Sequence, residues 1–296
     1  MHRNKILEDI EVDYLYHLGL DSSMNLKALF GNVKFVCMGG SPDRAYEFAK
    51  KIQERSDKTL IIEQFGKTER TSLYKIGNVI SMSHGMGMPS ILIFLHEITK
   101  LLEYAGCIDY IFLRLGTSGG IGIEPGTLVL TTEAVNSNFK AVFDHQVLDK
   151  TYSFPTNLDS KLIARIQSCV KTTSRLVLGK TLGTDDFYEG QGRLDGALAP
   201  LYTDTEKHDY LQRAFMMGVR NIEMESTAFA AFCVRADIPS VIICVALINR
   251  LNGDQITSTK EEMKHYTHNL LDFVAGFVYD QSIALNNIRP LQIPDS

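Results

Sequence analysis

Nearly unbroken apolar runs at residues 33–38 (VKFVCM), 108–115 (IDYIFLRL) and 240–248 (SVIICVALI) constrain this chain more than any other feature. A strand with one face in water alternates apolar and polar side chains, whereas a strand covered on both faces does not. These runs therefore read as central strands of a sheet with helices on both sides. The sequence between them supplies the helices. Ala45, Phe48, Ala49 and Ile52 share one helical face, and apolar helical patterns follow Pro89 and cover 158–171, 206–217 and about 260–280. Further strands are predicted at 59–63, 72–76, 79–83, 127–133 and 175–182, with Gly77-Asn78 as a hairpin turn. A short strand at Asn221-Ile222-Glu223 leads into an alanine-rich helix. The expectation is one α/β domain over 1–296 with a mixed central β-sheet flanked by helices. Residues 1–31 form an N-terminal arm that needs a surface to pack on, and 136–156 is loop-rich.

Composition removes several classes of function. The net charge is −5 and no basic cluster recurs, which argues against a nucleic-acid surface. The cysteines Cys37, Cys107, Cys169, Cys233 and Cys244 are scattered, odd in number and contain no Cys-x-x-Cys. Neither a disulfide framework nor a zinc site is indicated. No run approaches a membrane span and the first residues hold no apolar signal core, so a cytoplasmic location is expected.

Four junctions carry chemistry. In the first, the strand at 33–38 runs through Gly39-Gly40 to Ser41, a good N-cap, and Pro42, a good first helical residue. Arg44 then stands in the first turn, where free backbone N–H groups and a guanidinium favour an anion. In the second, Arg114 lies inside an apolar strand, a costly position unless it meets a buried carboxylate or anion. The glycines of Gly116-Thr117-Ser118-Gly119-Gly120 after it let the backbone approach a ligand. The run is neither a Walker loop nor a dinucleotide fingerprint. The third junction, Asp185 to Arg193, combines Phe187 for stacking, the Gln191 amide and the Arg193 fork of donors. Such a set reads an imide edge such as that of uracil. The bland reading is a polar turn ordered around Gly190 and Gly192. In the fourth, Glu223 and Glu225 flank Met224 at a strand-to-helix junction, which suits hydroxyl recognition or, in the bland reading, complements the helix dipole.

Taken together, GGSPDR (39–44), RLGTSGG (114–120), FYEGQGR (187–193) and NIEMES (221–226) resemble the nucleoside phosphorylase-I family, and within it the animal-type uridine phosphorylases, which also share SHGMG. The similarity runs from about His17 to the last helix. It implies reversible phosphorolysis of uridine to uracil and ribose 1-phosphate, with no metal and no cofactor. By the resemblance, Gly40, Arg44, Arg70, Arg114 and Thr117 hold phosphate. His17, Met224 and Glu225 hold ribose, and Phe187, Gln191, Arg193, Leu247, Ile248 and Arg250 hold uracil. Arg114, Gln191, Arg193 and Glu225 are the expected catalytic set. The same resemblance implies a homodimer in which His17 and Arg70 reach the neighbour's site. Bacterial relatives that bind potassium carry a glutamate where Thr71 stands, so no ion is carried over. No aspartate occupies Asn249 or Arg250, which argues against purines, and three phosphate-type arginines argue against a hydrolytic nucleosidase. A purine nucleoside phosphorylase or nucleosidase stays open as one alternative; the other is a catalytically weak or silent homologue with a binding or assembly role. The latter is motivated by the loop at 199–204, whose Leu201 would displace Gln191 or Arg193 if it entered the pocket.

Overall fold

The computed structural model describes residues 4–66, 68–169 and 175–287. In chain order the elements are β1 (Tyr14–Leu15), β2 (Leu20–Asp21), α1 (Leu26–Phe30), β3 (Phe35–Gly39), α2 (Pro42–Arg55), β4 (Ile62–Phe65), β5 (Leu73–Ile76) and β6 (Val79–Ser83). There follow α3 (Met88–Tyr104), β7 (Ile111–Gly120), β8 (Leu128–Val135), β9 (Val142–Val147), β10 (Lys150–Pro155), α4 (Ser160–Ser168) and β11 (Leu176–Gly183). The chain continues through α5 (Asp204–Met216), β12 (Val219–Glu223), α6 (Ser226–Arg235), β13 (Ser240–Asn249) and α7 (Lys260–Asn287).

Nine strands form one sheet in the order β12-β11-β8-β13-β7-β3-β6-β5-β4. β3 runs parallel to β6 and β7, and β7 parallel to β13. β4–β5, β5–β6 and β8–β13 are antiparallel, so the sheet is mixed, as expected. The central strands are covered on both faces. On β3, β7 and β13, Val36, Met38, Phe112, Ile242 and Cys244 face the layer built by α1, α3 and α6. Phe35, Cys37, Leu113, Leu115, Val241, Ile243 and Val245 face α2, α4 and α7. Side chains alternate along a strand with period two, so Arg114 falls on the Phe112 side, toward α6.

The structure differs from the sequence expectation in a few places. β7 does not stop at Leu115 but continues through the glycines to Gly120. There it pairs antiparallel with β12, Asn221 opposite Gly120 and Ile222 opposite Gly119, while remaining parallel to β13. That extra pairing closes β7, β13, β8, β11 and β12 into a ring. Glycine permits it: a Cβ on Gly119 would sit 2.9 Å from Arg250 Cγ and 3.2 Å from Ile222 Cγ2. The span 136–156 is not simply loop, because β9 and β10 pair as a hairpin with Val147 opposite Lys150. Its turn, Leu148-Asp149, has no glycine to announce it. The strand expected at 59–63 lies instead at Ile62–Phe65. The far end of the helix expected over 158–171 lies outside the described residues, as do the first residues of the arm.

The arm packs on α3. Leu15, Leu18 and Leu20 are buried in the core while Tyr14 and Tyr16 stay exposed. Asp13 accepts from Lys100 and from the Tyr104 hydroxyl, and Glu97 accepts from the backbone N–H groups of His17 and Leu18.

Candidate active site

The C-terminal ends of β3, β6, β7, β12 and β13 converge on a cavity of about 200 Å³. Its walls hold Gly40, Arg44, Arg114, Thr117, Phe187, Gln191, Arg193, Met224, Glu225, Leu247, Ile248 and Arg250. Twelve of the fourteen residues singled out in the sequence therefore line one space, although they come from distant parts of the chain. Leu247 and Ile248 sit at a register shift in β13, the kind of irregularity that re-aims side chains beside a site.

Arg114 is 2% exposed and meets the carboxylates that its position demanded. Its Nη2 donates to Glu223 Oε2 at 2.7 Å and to Glu225 Oε2, and its Nη1 lies 3.4 Å from Cys244 Sγ. Burial works against its charge, and Glu223 and Glu225 more than offset that, so the guanidinium stays protonated. The two glutamates differ. Glu223 caps α6 by accepting from the Glu225 and Ser226 N–H groups, at 3.0 and 2.9 Å. Burial pushes its carboxyl up. Glu225 Oε1 accepts from Gly87 N at 2.6 Å. Burial opposes its charge too, but Arg114, helped by the Gly87 N–H, holds it below the usual range. Glu225 is thus the ionised carboxylate on the cavity wall, while Glu223 takes the bland, helix-capping role.

Arg44 Nε donates to Ser41 Oγ at 3.1 Å, which ties the guanidinium to its own helix cap. Its Nη1 is buried with no hydrogen-bond partner, as are Arg114 Nε and both ring nitrogens of His84. Burial and the nearby Arg114 push the Arg44 guanidinium down from its ordinary value.

The base-type residues are held by a network. Arg250, 1% exposed, donates from Nη2 to the Gln191 carbonyl at 2.9 Å and approaches Gln191 Oε1 with Nη1 at 3.4 Å. Asp254 holds Arg250 at 3.0 Å through Oδ1, and through Oδ2 accepts from Lys207 Nζ at 2.7 Å and from Leu194 N at 3.0 Å. Arg193 stacks over Phe187, 4.6 Å from the ring centroid. Asp195 takes its Nε and Nη2 at 2.8 and 2.6 Å, and the Asp254 carbonyl takes Nη2 at 2.9 Å. The Nη1 donors remain for a ligand.

His17 and Arg70 do not line this cavity. They lie together elsewhere: Thr68 Oγ1 donates to the His17 carbonyl at 2.9 Å and accepts from Arg70 N at 3.3 Å. The arm and this loop touch so closely at Gly66 that a Cβ there would lie 1.6 Å from Leu18 O. The His17 ring is braced by Glu97, with Nδ1 2.6 Å from Oε1. Arg70 is exposed, and Thr71 is buried with its hydroxyl donating to Ser83 O. Leu201 does not enter the pocket. It is 91% exposed, and Tyr202 beside it anchors the loop by donating to Arg193 O at 2.6 Å.

Sequence reasoning missed His84, Glu97, Asp195, Lys207 and Asp254 as parts of this arrangement. Asp254 had a signal in its four-residue spacing from Arg250, and His84 stood in a quoted motif. Lys207 had none, since it reaches in from α5. Among the described residues no group of three or more His, Cys, Asp or Glu side chains is placed to hold a metal, and no helix is long and apolar enough to cross a membrane.

Residues 34–278 match the family model of the phosphorylase superfamily. Over 286 residues the chain is 44% identical to uridine phosphorylase 2 of Mus musculus, covering 94% of this chain and 89% of that protein. The chain belongs to the uridine phosphorylase family. A crystal structure of uridine phosphorylase from Schistosoma mansoni in complex with uracil superposes with a TM-score of 0.91 at 36% identity, covering 95% of this chain and 99% of that one. The family also includes a protein called inactive uridine phosphorylase B, from Schistosoma mansoni, 36% identical over 289 residues and matched over 96% of each chain. Membership in the uridine phosphorylase family therefore establishes the fold and leaves turnover to the residues of the site.

Proposed function

We propose that this chain is a uridine phosphorylase, a pentosyltransferase that converts uridine and phosphate reversibly into uracil and ribose 1-phosphate. The observation that carries the reading is the meeting of Arg44 and Arg114 with Gln191, Arg193 and Phe187 in one cavity that also holds Met224 and Glu225. Phosphorolysis needs all three groups at once. Gly40, Arg44, Arg114 and Thr117 orient the phosphate; the buried Nη1 of Arg44 and Nε of Arg114 are donors in want of an acceptor. Glu225, ionised and fixed by Gly87 N–H, takes the ribose hydroxyls, with Met224 against the sugar. Phe187 stacks on the base, Gln191 and Arg193 read its carbonyl edge, and Leu247 and Ile248 supply apolar wall.

In the reaction a phosphate oxygen forms a bond to C1′ as the C1′–N1 bond breaks. The sugar passes through an oxocarbenium-like state, as in glycoside cleavage. The bonding pair leaves on uracil, and the negative charge spreads to its carbonyl oxygens. Gln191 and Arg193 stabilise that growing charge in the manner of an oxyanion hole. Arg250 contributes by fixing Gln191, and Asp254 by fixing Arg250. Both Asp254 oxygens are engaged, which leaves no carboxylate there to protonate a purine ring.

The site is completed by a second copy of the chain in a two-fold dimer. His17 and Arg70, braced together by Thr68 and lying outside their own cavity, fit delivery to the neighbour's ribose and phosphate. A cytosolic location goes with this reading and with five free cysteines.

The test is uracil release from uridine by the purified protein, with and without inorganic phosphate. Release only with phosphate is the expected result. Release without phosphate would make the chain a hydrolase, and no release from folded protein would place it with the silent relatives. The outward Leu201 favours turnover, because the side chain that motivated a silent reading does not occupy the pocket.

A further inference from the structure

His84 has no role in the reading above, yet its position is tightly built. β6 ends at Ser83, paired in parallel with Gly39 of β3. His84 N donates to Gly39 O at 2.8 Å, and Ser90 Oγ donates to His84 O at 2.6 Å. The backbone is thus fixed on both sides, next to Gly40. The side chain is 1% exposed, lines the cavity, and has no hydrogen-bond partner on either Nδ1 or Nε2.

Buried polar side chains in folded proteins nearly always find partners, and the exceptions mark sites where a ligand supplies one. Here the orphan is not isolated. Arg44 Nη1 and Arg114 Nε, on the same cavity wall, are also unpaired. The ring sits among Arg114, Glu225 and Arg44. Burial, with two guanidiniums nearby, leaves the imidazole neutral at physiological pH, its pKa lowered to about 3. A neutral imidazole offers one N–H donor and one acceptor. The donor matches an anion held by two arginines.

We infer that His84 is a further phosphate-binding residue, donating one ring N–H to an oxygen of the nucleophilic phosphate beside Arg44 and Arg114. The inference rests on the phosphorylase reading and deepens it. A neutral donor orients the anion without adding a further positive charge. Another full charge would tighten ground-state binding without selectively favouring the transition state, and uniform binding of that kind does not raise the rate of the chemical step.

The experiment compares wild type, His84→Leu and His84→Gln by steady-state kinetics with phosphate and uridine varied separately, by calorimetric binding of inorganic phosphate, and by thermal unfolding. Loss of a hydrogen bond to a charged group predicts about a 10-fold or greater rise in phosphate KM for His84→Leu. Uridine KM should change much less. His84→Gln keeps an N–H donor and should recover most of the loss. If both variants keep the wild-type phosphate KM and phosphate affinity, the proposal is wrong. It also fails if phosphate and uridine KM rise together in both variants with a large drop in unfolding temperature, because that pattern indicates only a packing role. If His84→Leu does not fold, a folded His84→Ala variant, which also lacks the donor, with wild-type phosphate KM and phosphate affinity would overturn it as well. Wild type separates the two readings. Should it show no phosphate-dependent uracil release, the function is wrong, while phosphate calorimetry still decides for or against His84.

Discussion

At the scale of single residues, the cavity is governed by how each ionisable group is paid for in a dry environment. Arg114 is tolerated inside a central strand because Glu223 and Glu225 meet it. Those carboxylates then divide their work, one capping α6 and one facing the cavity. His84 is tolerated by staying neutral, and this has a measurable consequence. Its folded pKa is about 3 against an ordinary value of 6.5. Between these values the unfolded chain binds a proton that the folded chain does not. Stability is therefore complete above about pH 6.5 and falls as the pH drops toward 3, with a limiting slope of about 1.4 kcal/mol per pH unit. Denaturant unfolding of wild type and His84→Gln at pH 7.0, 6.0 and 5.0 should show the variant losing less stability on acidification. Parallel losses in the two proteins would mean that His84 is protonated in the folded state.

At the scale of elements, the glycine half of β7 decides whether a site forms at all. Its first half belongs to the open sheet, beside β3. Its second half pairs with β12 as well as with β13, and that contact sets Glu223 and Glu225 against Arg114. The pairing depends on close approach: Arg250 Cγ and Ile222 Cγ2 stand where a Cβ on Gly119 would clash. Gly119→Val should therefore push β12 or Arg250 aside. We expect about 1–3 kcal/mol of destabilisation from overpacking and a loss of uracil-forming activity larger than the loss of folded protein. Thermal unfolding and kcat/KM on the soluble fraction measure both. A variant with wild-type kcat/KM would show that the register of β7 against β12 does not control the site.

At the scale of the whole molecule, each chain carries an incomplete set of the expected residues in its own cavity. The arm and the loop around Arg70 form one unit, tied by Thr68 and clamped to α3 through Glu97 and Lys100. In the two-fold dimer proposed above, the partner would complete the set, and mixing variants tests this. Arg70→Ala and Arg193→Ala should each be nearly inactive alone. In a heterodimer, one site combines an intact cavity with an intact neighbour arm, and the other carries both defects. With random reassortment, the mixture should regain about a quarter of wild-type activity. Equal mixing, after dissociation and refolding together, with no gain over the separate variants would mean that Arg70 serves its own chain or none.

The local pattern of the sequence was enough for the class of fold and for most of the site's cast. Continuous apolar runs state that β3, β7 and β13 are covered on both faces, because burial on two sides leaves no polar period. The residue types at four junctions state the chemistry, because an arginine in an apolar strand, or an amide and a guanidinium beside an aromatic ring, have few uses. Partnership was not readable. Which carboxylate meets Arg114 is set by the pairing of β7 with β12. That Asp254 holds Arg250 and Lys207 together is set by how α5 crosses the end of β13. The orphaned ring of His84, the outward Leu201 and the removal of His17 and Arg70 from their own cavity belong to the same class. Each depends on the distance between residues far apart in the chain, and only the assembled sheet and its packed helices determine that distance.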